Sequence, residues 1–194
     1  MRYLILEDIE DRMPTSNFQK FALIAGFFQR DVDDLKVKSV LDVGVGFGKT
    51  GFACREWLDV RRRQNYKKED WEVKIDGVEI WEKYITPVHD YIYNNVHIGD
   101  IYNIADTLDH YDVIFMLDVI EHMEKRRGVE ILRKLYDRTN MALMLSFPEG
   151  TPPGKAPAWE NPYEAHLSTW RCRDVVGILP KTHVVRRGVT VSMR

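Results

Sequence analysis

The chain is poor in cysteine. Cys54 and Cys172 are the only two among 194 residues, far apart and in no ligand-like spacing. That excludes a disulfide scaffold and a cysteine zinc site, and it suits a reducing, cytoplasmic setting. No apolar run approaches the length needed to span a bilayer. The opening stretch Met1 to Asp8 has too short an apolar run for a signal peptide, and acids follow at once. No sign of charge predominates. The net charge of −2 gives no global attraction to nucleic acid or membrane. Internal repeats are absent. What remains is ordinary for one globular domain with a real core: 44% hydrophobic and 30% charged residues.

Against this plain background one stretch stands out. Val40 to Gly51 reads Val-Leu-Asp-Val-Gly-Val-Gly-Phe-Gly-Lys-Thr-Gly. An apolar run stops at Asp42, and Gly44, Gly46, Gly48 and Gly51 follow. A segment of helical composition then runs from about Phe52 to Gln64. Glycine permits positive φ and close approach of a ligand to the backbone. The helix that follows presents unpaired N–H groups. A strand, a glycine turn and a helix start in this order make a ligand-binding device.

The rest of the chain alternates. Asn17 to Arg30 places Phe18, Phe21, Ile24 and Phe28 near helical spacing, with Ser16 or Asn17 as cap. Residues 1–36 are read as a helical cap belonging to the same domain as residues 37–194. This segment is either plain cover for the sheet or a lid over the ligand site. Strands are expected at Val37–Val43, Trp71–Val78, Asn95–Ile98, Tyr111–Leu117 and Met141–Phe147. Helices are expected at Glu82–Asn94, with Pro87 in its first turn or at a kink, at Ile120–Arg138, and at Thr169–Leu179 behind a Ser168 cap. Ile101–Leu108 is a short helix or loop. Thr182–Arg187 and Val189–Met193, around Gly188, suggest a terminal hairpin. The basic cluster Arg61 to Lys68, offset by Glu69, Asp70 and Glu72, reads as a solvated turn ahead of a nucleic-acid patch. The proline-rich loop from Glu149 to Ala165 has the length of a binding loop.

Strand–helix alternation predicts an open, mostly parallel α/β sheet. Ligands in such sheets bind at the carboxyl ends of the strands. Those ends carry Asp42, Glu79, Asp100 and Asp118, a register that a solvated face does not explain. Asp42 can brace the glycine turn or accept from a ligand amine. Glu79 can accept ribose hydroxyls, and Asp100 an adenine amino group. Ile80 and Ile101, each just after its acid, can sandwich a purine. A dedicated phosphate clamp is missing, so a nucleoside fits better than a nucleotide.

Val40 to Gly48 resembles the first motif of class I S-adenosylmethionine-dependent methyltransferases. Glu79 resembles their strand-two acid, and Gly99-Asp100-Ile101 their strand-three adenine contact. Asp112 to Met123 (Asp-Val-Ile-Phe-Met-Leu-Asp-Val-Ile-Glu-His-Met) is similar to their strand-four motif. The four motifs occur in order between Ser39 and Phe147. The resemblance implies a Rossmann-like seven-stranded, mostly parallel sheet with helices on both faces and a C-terminal antiparallel hairpin. It implies S-adenosylmethionine as cofactor, with Asp42, Gly44, Gly46 and Gly48 at the methionine portion and Glu79 at the ribose. Ile80, Asp100 and Ile101 go to the adenine, and Leu117, Asp118 and Val119 to the donor end. Candidate general bases are Asp118, His122 and His166. Trp159 and Tyr163 in the long loop are candidate substrate contacts. The acceptor is expected to be a small molecule, and no metal site is read from the sequence.

Rival readings fit less of the chain. Gly48-Lys49-Thr50 matches the tail of a phosphate loop, but the required earlier glycine falls at Val43, inside the strand. A dinucleotide oxidoreductase would account for Gly46, Gly48 and Gly51 but not for the late acid at Glu79. A non-catalytic nucleoside-binding protein would carry the same motifs without turnover. Lys49, beside a cofactor of positive charge, has no evident role.

Overall fold

The computed structural model describes residues 20–154, 161–186 and 188–194. Its sheet has seven strands in the order β3-β2-β1-β4-β5-β7-β6. These are β1 (Ser39–Val43), β2 (Lys74–Glu79), β3 (Asn95–Ile98), β4 (Tyr111–Leu117), β5 (Thr139–Ser146), β6 (Thr182–Arg186) and β7 (Val189–Met193). The first five pair in parallel, and β7 runs antiparallel to both β5 and β6. The sheet is therefore the mostly parallel one expected, with the closing pair at its far edge. The strand order reverses between β1 and β4, and open α/β sheets form their ligand crevice at such a reversal.

β1, β4 and β5 are buried almost throughout, because apolar layers cover both faces of the sheet. One layer collects Ile24, Phe27 and Phe28 of α1 (Lys20–Arg30) with Trp57, Phe115 and Met144. The opposite layer collects Leu41, Ile114, Leu132, Leu143 and Trp170. Phe27 and Phe28 meet Phe115 edge to face at 5.4 and 5.9 Å, so α1 seats its aromatic stripe directly on β4. Residues 1–19, including the expected start of this helix, lie outside the described residues.

Several helices are shorter or more broken than their composition predicts. The segment after the glycine turn begins as α2 (Lys49–Arg55) and continues as a π-helical run over Glu56–Arg61. Glu82–Asn94 divides into a 3-10 turn at Glu82–Tyr84 and α3 (Pro87–Ile92). Pro87 sits in the first turn, where its missing N–H costs nothing. Two short pieces, α4 (Ile101–Ile104) and a 3-10 turn at Ala105–Thr107, follow β3. A 3-10 turn at Ile120–His122 precedes α5 (Lys125–Asp137). α6 is Cys172–Ile178, and Ser168 does not cap it. The Ser168 hydroxyl donates instead to the Met123 carbonyl at 2.7 Å and accepts from the Trp170 indole at 2.8 Å.

The basic cluster after α2 is bound up in the fold. Arg63 donates to the carbonyls of Leu58 and Val37, Arg62 pairs with Asp34, and Arg61 lies over the Trp57 ring. None of the described helices is long and apolar enough to cross a membrane.

The most demanding polar group in this half of the molecule is Arg55, 4% exposed. It meets Asp59 at 2.6 Å and the carbonyls of Val73 and Ile92 at 2.7 and 2.9 Å. Asp59 in turn accepts the backbone N–H groups of Glu72 and Val73, fastening the π-helical run to the residues just ahead of β2. Replacing Arg55 by Met removes one partner of a buried pair and leaves the other charged. Urea denaturation of Arg55→Met is expected to show a loss of about 3–5 kcal/mol.

Candidate functional site

The carboxyl ends of β1 to β5 are brought side by side by the register of the sheet. Val43 pairs with Val78 and with Met116, Glu79 with Ile98, and Leu117 with Ser146. Asp42, Glu79, Asp100 and Asp118 therefore share one rim, as their sequence positions suggested. Their surroundings differ sharply.

Asp42 lies beneath the glycine turn and is 1% exposed. It accepts the Tyr93 hydroxyl at 2.6 Å, with further bonds from the Gly51 backbone and the Thr50 side chain. Burial raises its pKa from the usual 3.8 to about 7, against the opposing pull of these donors. Of its two expected roles it performs the bracing one. The turn above it has left-handed φ at Gly44, Gly46 and Gly48. A side chain at Gly44 would collide with Val119, 2.4 Å from the ideal Cβ position. Gly46 has nothing within 4 Å of that position, so open space lies beside the backbone there.

Glu79 closes the turn from the other side. Its Oε2 accepts the Gly46 N–H at 3.0 Å, and its Oε1 accepts the Trp81 N–H at 2.8 Å. Burial pushes its pKa up, while the backbone donors from Trp81, Gly46 and Ile80 pull the other way. Asp100 caps α4 by accepting the Tyr102 N–H at 2.9 Å, and it meets Arg127 at 2.6 Å. Ile101, beside it, is buried in the core, whereas Ile80 remains partly exposed.

Asp118, after β4, has φ of 56°. Left-handed backbone at a residue other than glycine is uncommon and concentrates at functional positions. Its carboxylate meets Lys20 of α1 at 2.8 Å and accepts the Ser146 hydroxyl at 2.9 Å. Lys20 also reaches the Ser146 oxygen at 2.6 Å. Lys49, unexplained by sequence, lies in the field of Asp118, which favours its charged form, although burial lowers its pKa overall. Leu117 is buried, and Val119 fills the space over Gly44.

The histidines converge. The rings of His122 and His166 meet edge to face at 5.0 Å. Burial and the neighbouring His122 lower the His166 pKa. The segment holding His166 is pinned because the N–H groups of Leu167 and Ser168 donate to the Glu121 carbonyl at 2.7 and 3.1 Å. The same segment crosses to the β2 side. Glu164 accepts the Tyr84 hydroxyl at 2.7 Å, and Tyr163 meets Trp81 edge to face at 5.9 Å. Residues 161–168 thus bridge the rim from β2 to β4. Trp159 lies outside the described residues.

Sequence reasoning missed His89, Tyr93, Lys20 and Arg127. His89 is fully buried, with Nε2 2.8 Å from the Gly46 carbonyl and Nδ1 accepting the Thr86 N–H at 3.1 Å. A nitrogen that accepts from Thr86 leaves the proton on Nε2, which then donates to the glycine turn. His89 and Tyr93 are one helical turn apart, the only local signal that they act together.

No family model matches the chain, and no curated protein matches it in sequence. Solved structures do match in three dimensions. The N-terminal domain of EvdMO1 with S-adenosylhomocysteine bound aligns with a TM-score of 0.63 at 14% identity, over 91% of this chain and 82% of that one. Magnesium protoporphyrin IX methyltransferase from Synechocystis PCC 6803 with bound S-adenosylmethionine aligns at 0.59 and 16% identity, over 98% and 92%. The fold is that of class I S-adenosylmethionine-dependent methyltransferases. The bifunctional kinase-methyltransferase WbdD aligns at 0.61 and 13% identity over 96% of this chain, which spans 45% of WbdD's length. Within this fold the glycine turn, Glu79 and Asp118 lie at the carboxyl ends of neighbouring strands, on either side of the reversal between β1 and β4.

The buried Asp42 makes a pH prediction. Its folded pKa is raised, so its contribution to stability is fully present below the unfolded value of 3.8 and is lost as pH rises through about 7. Thermal melts between pH 4 and 7 are expected to fall less steeply for Asp42→Asn than for the native chain. Equal slopes would mean that Asp42 is ionised throughout.

Proposed function

We propose that this chain is a methyltransferase that uses S-adenosylmethionine and acts on a small-molecule acceptor. The observation that carries the reading is the Glu79 carboxylate, fixed at the end of β2 beside the open face of Gly46. A nucleoside lying against that face has its ribose at the acid and its amino-acid tail along the turn. A carboxylate has about four acceptor sites, and the Gly46, Ile80 and Trp81 N–H groups take three. A ribose diol would therefore bind through the remaining lone pair and by sharing the others. Asp100 and Ile80 would border the adenine, with Arg127 holding the Asp100 carboxylate in place.

The bound cofactor supplies a methyl group already activated by its positive sulfur. What the chain supplies is alignment, which accounts for much of the rate of such displacements. Leu117, Asp118 and Val119 would line the donor end. Of the three expected bases, Asp118 has its carboxylate already engaged by Lys20 and Ser146. His122 and His166 stand together at the same end, His166 carried by the loop that crosses the rim. Residues 161–168 and α1, tied to Asp118 through Lys20, would enclose the acceptor, and the N-terminal segment would then form part of the site wall.

A small-molecule acceptor is supported by the neighbours. One is named for magnesium protoporphyrin IX, and another was crystallised in the presence of D-fucose. Arg61, Arg62 and Arg63 of the basic cluster are engaged with protein groups, which weakens the argument for nucleic acid.

Calorimetry with S-adenosylhomocysteine is expected to show binding to the native chain. Glu79→Ala should weaken it by about 1.5–3 kcal/mol, the scale of a hydrogen bond to a charged group. Glu79→Gln, which keeps one oxygen acceptor, should lose less. Failure to bind, with tight binding of magnesium–ATP instead, would refute the proposal.

A further inference from the structure

We propose that Glu121, His122 and His166 form a binding site for one divalent first-row transition-metal ion at the acceptor end of the cleft. One ligand atom from each of the three lies within 4.8 Å of the others. Three atoms that close share a point within about 2.8 Å of each, so metal bonds of 2.0–2.2 Å ask each side chain to move in by roughly 0.6–0.8 Å.

Three further observations point the same way. The first is Glu121, which is 3% exposed, and whose Oε2 is buried with no hydrogen-bond partner among the described residues. A carboxylate oxygen left in that state is costly unless something binds it. Lys20, the nearby cation, is engaged by Asp118 and Ser146. The second is the His122 ring. Its Nδ1 lies 3.2 Å from the Ala165 carbonyl, which can only accept. A proton on Nδ1 satisfies that contact, and the neutral ring then offers its Nε2 lone pair. A backbone carbonyl behind the ring is the usual support of a metal-binding histidine. The third is the backbone around His166. The N–H groups of Leu167 and Ser168 anchor to Glu121, and the His166 carbonyl accepts the Gly154 N–H at 3.0 Å. The ligands from two distant segments are thus held together by main-chain bonds, before any ion arrives.

Two imidazoles and one carboxylate suit ions from manganese to zinc better than magnesium or calcium, which prefer all-oxygen shells. Three protein ligands leave coordination positions open. A hydroxylated acceptor could occupy one through the oxygen to be methylated, and the ion would lower the pKa of that hydroxyl. Its proton would leave to water, the oxygen–methyl bond would form, and the sulfur–methyl bond would break with its electron pair remaining on sulfur. This use of the ion rests on the methyltransferase reading. The ion site itself does not.

The test titrates Co2+ into the chelator-treated full chain and follows visible absorption, with S-adenosylhomocysteine binding measured in parallel. The native chain should bind one Co2+ with a visible band, and Zn2+ should displace it while millimolar Mg2+ should not. Glu121→Gln and His166→Ala should each weaken Co2+ binding at least tenfold and keep S-adenosylhomocysteine binding. His166 is only partly buried, so its replacement tests the site should Glu121→Gln fail to fold. No band with the native chain, displacement by Mg2+, or unchanged Co2+ binding in His166→Ala would overturn the metal site. Loss of S-adenosylhomocysteine binding by the native chain, with Co2+ still bound, would overturn the cofactor reading alone.

Discussion

The hydrogen bond from Tyr93 to Asp42, 2.6 Å long and wholly buried, ties α3 to the end of β1. The rest of the cleft depends on it. Asp42 is 1% exposed, so its carboxyl must find its donors in protein, and those donors come from the start of α2 and the end of α3. Tyr93 accepts in return from the Gly51 N–H at 3.2 Å, and the Tyr93 ring stacks on His89, which reaches the Gly46 carbonyl. A turn of glycines has little intrinsic stiffness. Here a phenol, an imidazole and two carboxyl groups clamp it from below and from the side, and one open face is left at Gly46.

The two ends of the cleft contrast in charge. At β2 the acid Glu79 is held by backbone N–H groups, and among the described residues no basic side chain is paired with it by hydrogen bond or ion pair. That environment suits neutral donors such as hydroxyl groups and does not attract phosphate. At β4 the situation is mixed. Asp118 is neutralised by Lys20, Lys49 feels its field, and Glu121 stands behind, its pKa held well above the usual carboxylate range by burial. One end is organised for polar recognition and the other for a centre of tunable charge.

Much of this was legible in the sequence, and for identifiable reasons. β1 and β4 are apolar runs that stop at an acid, and the shorter, mixed β2 and β3 also end at acids, so the placement of Asp42, Glu79, Asp100 and Asp118 could be read directly. The helices were read less well. Glu82–Asn94 has helical composition, yet Pro87 starts a new helix there instead of kinking an old one. Ile120 continues the apolar pattern toward α5, yet a 3-10 turn at Ile120–His122 intervenes. Composition does not record such breaks, which tertiary contacts impose. Long-range pairs were invisible for the same reason. Nothing near Lys20 announces Asp118, 98 residues away, and nothing near Tyr93 announces Asp42. His122 and His166 were each noted alone. Their meeting arises from main-chain bonds between Glu121 and the segment at Leu167.

The order of the last two strands bears on how the sheet is completed during synthesis. Among the described residues β6 pairs only with β7, and β7 also pairs with β5. A growing chain exposes β6 before the strand that will join it to the sheet has been made. Until then β5 presents an open edge of Ala142 to Ser146, and β6 has no template of its own. In the finished sheet β7 lies between them and covers that edge, with Gly188 at φ of 68° in the reversal. Until β7 is in place, the nascent protein carries an unpaired strand edge, the kind of surface that chaperones and neighbouring chains can recognise.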